Sequence, residues 1–158
     1  MVDVVGQVQA TLVNILAERR DVLRPALKQR AKFEGWLKWE LAARFERCFE
    51  NVRVEDQVED KTKHHTSFDI SFMAGDNLCY LHLKTCSTNW RVEDVETKTV
   101  PITKNIDGVI SDVKDAFQVV RPPSQWGLVA FCLFPVPAGI GNDKLAEHLD
   151  RIRMECSL

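Results

Sequence analysis

Asp69, His82 and Lys84 are the residues whose types and spacing could do chemistry together. Phe68, Ile70 and Phe72 alternate with polar or small residues, and Leu78 to Cys86 alternates in the same way, so both segments read as strands. Ala74-Gly75-Asp76-Asn77 between them reads as a hairpin turn, because Gly and Asn tolerate positive φ. A turn centred between Gly75 and Asp76 sets Asp69 opposite His82. Side chains alternate across a strand, so Asp69, Tyr80, His82 and Lys84 share one face, and Phe68, Ile70, Leu81 and Leu83 the other. A two-residue register error keeps that grouping; a one-residue slip reverses it.

A lysine in mid-strand of an apolar sheet is costly unless it has a partner. Two readings supply one. Asp69 and Lys84 can form an ion pair on a solvated face, or the lysine can guard a sheet edge against aggregation. Alternatively, the group is a site for a divalent cation and a phosphodiester. Asp69 and the Leu83 carbonyl would then hold the metal. Lys84 would orient or activate the attacking water and offset charge building on phosphate.

The elements that must position these groups follow from periodicity. Val5, Val8, Leu12, Ile15 and Leu16 have helical spacing. Pro25 suits the first turn of a second helix, which runs on to about Phe49 with Phe33, Leu37, Leu41, Phe45 and Cys48 on its apolar face. Asn51 to Val58 alternates as a first strand. Ile106 to Val120 is an amphipathic helix stopped by Pro122 and Pro123. Gly127 to Phe134 is almost wholly apolar, as expected for a strand covered on both faces. Gly141-Asn142-Asp143 starts a last helix over Leu145, Leu149 and Ile152. The expected fold is α/β, with helices on both faces of a central mixed sheet.

Phe68-Asp69, Leu81-His82-Leu83-Lys84-Thr85 and the element order resemble the restriction-endonuclease-like, PD-(D/E)xK nuclease superfamily. Its core runs helix, three meander strands, helix, strand, and the resemblance covers residues 31 to 134. The segment Glu34-Gly-Trp-Leu-Lys-Trp-Glu40-Leu-Ala is similar to its first-helix motif. The resemblance implies a three-layer α/β/α fold of one domain over residues 1–158, with an N-terminal helical extension over 1–30, the core over 31–134 and a C-terminal helix over 142–155. It implies metal-dependent hydrolysis of DNA with magnesium or manganese, on catalytic residues Asp69, His82, Lys84 and Glu34. The implied metal ligands are Asp69, His82, Leu83, Glu34 and Glu40. It also admits a homodimer, since such nucleases often pair to cut two strands.

The sequence departs from that pattern where His82 replaces the acid before x-Lys. A neutral imidazole weakens binding of Mg²⁺, which prefers hard oxygen ligands, and favours softer ions such as Mn²⁺. His82 could instead serve as a general base. A further alternative is a catalytically inactive member of the fold that binds nucleic acid or protein. On a helical wheel Glu34 and Glu40 lie about 60° to either side of Leu37, and Glu34, between Leu41 and Phe45, is the preferred inward acid. His65, the Ser87-Thr88-Asn89-Trp90 turn, and Arg91, Lys98 and Lys104 are secondary candidates for phosphate contact. Trp36, Trp39 and Trp126 read as core.

Composition bounds the rest. The 158 residues are 45% apolar and 28% charged, which excludes disorder and simple repeats. A formal net charge of -2 provides no global basic field, so a nucleic-acid contact must rest on a local patch. Five cysteines without a CxxC argue against a disulfide framework or zinc site and for a reducing cytoplasm. No apolar run is long enough to span a membrane, and the N-terminal residues lack a signal-peptide pattern.

Overall fold

A computed structural model describes residues 3–59, 65–97, 101–137 and 142–156. Helices α1 (Val4–Glu18), α2 (Arg20–Lys28) and α3 (Glu34–Phe45) precede strands β1 (Glu50–Glu59), β2 (His65–Ala74) and β3 (Asn77–Ser87). Helix α4 (Ile102–Val119), strand β4 (Gln125–Phe134) and helix α5 (Asn142–Cys156) follow. The sheet order is β1-β2-β3-β4, with the first two pairings antiparallel and β3–β4 parallel. The fold is thus mixed α/β, around a four-stranded mixed sheet. Among the described residues, no helix is long and apolar enough to cross a membrane.

Each face of the sheet is apolar for its own reason. Leu37, Leu41 and Phe45 of α3 meet Ile70, Phe72, Leu81 and Leu83, with Val8, Leu12 and Ile15 of α1 in the same core. The Phe45 and Phe72 rings lie 4.8 Å apart and the Phe49 and Phe72 rings 4.4 Å apart. Burying each such ring contributes about 1.5–3 kcal/mol. On the other face, Ile106, Val109, Ile110 and Val113 of α4 pack with Ile152 of α5 and Cys86 of β3.

Several helical expectations shift. Asp3, whose Oδ1 accepts from the Gly6 amide at 2.9 Å, caps α1 so that Val4 rather than Val5 turns inward; Val5 is exposed. Pro25 lies inside α2 rather than at its start, where it donates no bond to the Asp21 carbonyl and its ring crowds that carbonyl. The long second helix is instead two. Arg30, at φ 50°, breaks it, and its buried guanidinium donates to the carbonyls of Thr88, Trp90 and Glu96. Those three bonds tie the α2–α3 junction to the segment after β3. Cys48 and Trp39 are exposed rather than core, whereas Trp36 and Trp126 pack against it. β4, read as covered on both faces, is an edge strand whose residues from Leu128 to Leu133 are half-buried.

The hairpin has the expected register. Ala74 pairs with Asn77 and Ile70 with Leu81, around Gly75 at φ 61°. Strict alternation nevertheless fails at one rung. Phe68 was expected beside Ile70 but packs on the α4 side, its ring 4.8 Å from Tyr80 and 4.5 Å from His82. The change of phase falls at Asp69. On β1 the facing residue is Glu55, held at φ 57°, between the paired rungs Val54–Ile70 and Asp56–Phe68. Both strands therefore carry one residue out of phase at the same level. A left-handed glutamate costs about 1–2 kcal/mol, which the flanking pairs must offset.

Candidate active site

The change of phase decides what Asp69 can do. Its carboxylate is not simply presented on a sheet face beside His82. Beyond Ile70–Leu81 the β2–β3 ladder stops, and Asp69 Oδ2 accepts the Leu83 amide at 2.8 Å. On the α3 side, Lys38 Nζ lies 3.7 Å from Asp69 Oδ1 and 2.8 Å from Glu55 Oε1. One lysine thereby spans the two out-of-phase carboxylates. The Glu55 hydrogen bond is the main reason the Lys38 ammonium is held above its ordinary pKa; burial opposes it and Asp69 assists.

Glu34 reaches the same strand from the first turn of α3. Its Oε2 accepts the amide of Thr85, which is buried, at 2.9 Å. Two carboxylates from different elements thus hold alternate amides of β3, Leu83 and Thr85. Residues two apart on a strand direct their backbone amides to the same edge, so the pair lies side by side where β2 and β3 part. Glu40 is not brought here; it faces Arg19 at 3.4 Å.

Lys84 extends from the opposite face of β3 toward α4. Its Nζ lies 2.6 Å from Asp112 Oδ2. Burial alone would lower its pKa, but the Asp112 hydrogen bond and charge, with Glu34 and Asp69, raise it above the ordinary lysine value. Lys84 is consequently a cation at neutral pH. Gly108 allows the approach: a Cβ there would stand 3.3 Å from Lys84 Cε. A mid-helix glycine costs up to about 1 kcal/mol relative to alanine, so this one has a packing reason.

His82 is buried between Phe68 and α4, and burial lowers its pKa despite Asp112 and Asp69, which favour the charged form. Nδ1 stands 4.0 Å from Asp69 Oδ2, beyond hydrogen-bond range, and Nε2 is buried without a partner. A buried donor or acceptor left unpaired costs about 1–3 kcal/mol.

Glu34, Asp69, His82, Lys84, Asp112 and Asp115 line one polar cleft of about 650 Å³, with Thr66 and Ser67 at its β2 side. Four carboxylates face one lysine, so the cleft is net negative. Such a field draws in a divalent cation and repels a bare phosphodiester. The donor set suits such a cation: hard carboxylate oxygens, and one neutral imidazole nitrogen with no other partner. Among the described residues, no three of these donors converge tightly enough to enclose an ion as they stand.

Asp112 and Asp115 are absent from the sequence-based site. The available signal was their position three residues apart beside the apolar stripe of α4, next to Val109, Val113 and Ala116. Lys38 is the other residue absent from the sequence-based site. His65 begins β2, but its side chain and those of Lys63, His64 and Lys98 lie outside the described residues. Thr88 is fully buried, with Oγ1 donating to the Pro135 carbonyl at 2.6 Å, so its hydroxyl does not face phosphate. Comparison with protein-family models and with curated proteins finds no match to this chain.

Proposed function

We propose that this chain is a metal-dependent phosphodiesterase acting on DNA, built on the restriction-endonuclease-like plan. One observation carries the reading: Asp69 and Glu34 hold alternate amides of β3 beside the protonated Lys84, in one acidic cleft. A carboxylate pinned by a backbone amide holds its second oxygen at a fixed position, as a cation site needs; that oxygen of Asp69 is shared with Lys38 at 3.7 Å.

Asp69 and Glu34 would hold the cation, with the Leu83 carbonyl and the His82 imidazole, whose Nδ1 is 4.0 Å from Asp69 Oδ2, completing the set. The bound metal supplies Lewis-acid stabilisation of charge on phosphate and lowers the pKa of a bound water. Lys84, being protonated, donates rather than accepts. It orients the attacking water or a phosphate oxygen and cannot take the water's proton. Asp112 positions Lys84 through the 2.6 Å ion pair.

The test is cleavage of supercoiled and linear DNA with Mg²⁺ or Mn²⁺, comparing the wild type with Asp69→Asn and Lys84→Met. Asp69→Asn keeps an acceptor for the Leu83 amide, so folding is preserved while the charge is lost. Each variant should lose about 10²–10⁴-fold in rate. Cleavage retained by both variants would refute the mechanism.

A second reading has its own support. His82 stands where the nuclease pattern has an acid, and Lys84 is already paired with Asp112. Both features suit a silent member of the fold that binds nucleic acid or protein. Thermal melting with Mn²⁺ separates the two. A working site raises Tm by linkage, by about 2.7 kcal/mol of stabilisation at a hundred times Kd, and Asp69→Asn removes the rise. A silent site shows no shift.

A further inference from the structure

β4 is built like a central strand but placed at an edge. Its ten residues, Gln125–Phe134, carry no charge and no proline, and only Gln125 is a conventional polar residue. Solvent-facing edge strands are ordinarily blunted by charge, proline or a bulge. β4 has none of these. Its even-numbered residues, Trp126 to Cys132, pack toward α1, and Val129, Phe131 and Leu133 toward α4 and α5. Both sets remain only half-buried.

The flanking helices carry the same apolar surface past the sheet. A groove of about 500 Å³ runs between α1 and β4, and a second of about 530 Å³ between α4 and β4. Leu128 and Val129 line both. The rims expose Val13 on one side, at 57%, and Phe117 on the other, at 63%. Among the described residues, no charged residue lines either groove.

We propose that β4 is the interface through which two copies of this chain pair, edge to edge about a two-fold axis. An occupant must offer a strand to the open backbone and apolar cover on both faces. A second copy brings all of these in its own β4, α1 and α4. In an isologous contact the same surface meets itself, so like charges would face like charges. The two grooves beside Leu128 and Val129, being without charge, avoid that repulsion at the centre of the contact, and Arg20, Arg24 and Lys28 lie only at the Cys132–Phe134 end of the strand; nucleic acid would require a basic surface along its length. The area is sufficient. Ten strand residues span roughly 33 Å, and cover to about 10 Å on each side buries about 1,300 Å² in total, within the range of stable interfaces. This inference stands apart from the chemistry of the acidic cleft.

The test is sedimentation across protein concentration, with amide hydrogen exchange read on the same samples. The expected species has twice the 18.1-kDa chain mass. The β4 amides should be protected in the dimer and exchange faster on dilution. Phe117→Glu and Val13→Glu replace exposed residues, so the monomer should fold as before. Each should weaken association at least ~100-fold, because like charges then meet across the axis. A monomer at all concentrations overturns the proposal. So do a dimer indifferent to both substitutions, open-ended growth, or a dimer whose β4 amides stay unprotected.

Discussion

Replacing His82 with methionine separates the energetic cost of the buried imidazole from every other titration in the protein. Burial against Phe68 and α4 depresses the folded pKa below the ordinary value of about 6.5. The unfolded chain therefore takes up this proton first as pH falls. Stability tied to the neutral ring is fully present above pH 6.5, starts to fall there, and is lost once pH passes below the folded pKa. Each pH unit in that window is worth at most 1.36 kcal/mol. For a chain of this size that bound is about 3–5 °C in Tm per pH unit. His82→Met removes the titration and the unpaired Nε2, and its flexible side chain fits the ring's space. The assay is urea or thermal unfolding of both proteins at pH 7, 6 and 5. The wild type should lose stability relative to the variant toward pH 5, whatever their difference at pH 7. Parallel curves over that range would show that His82 already carries its charge in the fold, and would refute the reasoning.

Two further perturbations follow from the same site. Asp112→Ala removes the group that holds the Lys84 pKa up against burial, and should cost about 1–3 kcal/mol in unfolding experiments. Because that pKa is raised in the fold, the wild-type advantage is present below about pH 10.4 and lost as pH rises through the folded value; a gap below about 1 kcal/mol at pH 8 would contradict this. Thr85→Val conserves shape and removes a buried hydroxyl that has no partner, so Tm should hold or rise. A drop of more than about 1 kcal/mol would mean that Oγ1 is satisfied in solution.

The hairpin register was readable because turn chemistry is local: Gly75 and Asn77 fix where the chain reverses, and pairing follows from that point. Helical geometry put Glu34 and Glu40 symmetrically about Leu37 and favoured Glu34 only by its place between Leu41 and Phe45; the cleft is lined by Glu34. Phe68 was not readable. A residue out of phase on one strand can be concealed by its counterpart on the next, and alternation of residue types records neither. The break between α2 and α3 escaped because it depends on where the Arg30 guanidinium finds carbonyls nearly sixty residues away. Asp112 was not legible because the apolar stripe of α4 does not mark which of the polar residues beside it turns toward Lys84. The apolar run of β4 correctly marked a strand that needs cover, but sequence does not say whether the cover lies within the chain.

The matched irregularity at Glu55 and Asp69 makes the two strands interdependent in length. Deleting either residue alone would restore alternation on one strand and leave its neighbour a position too long. Every side chain on one flank would then change sides, taking Phe68 away from His82. Removing both together would leave a smoother, flatter sheet with no gap for a carboxylate to reach the Leu83 amide. The hairpin could then keep its strands and lose its opening.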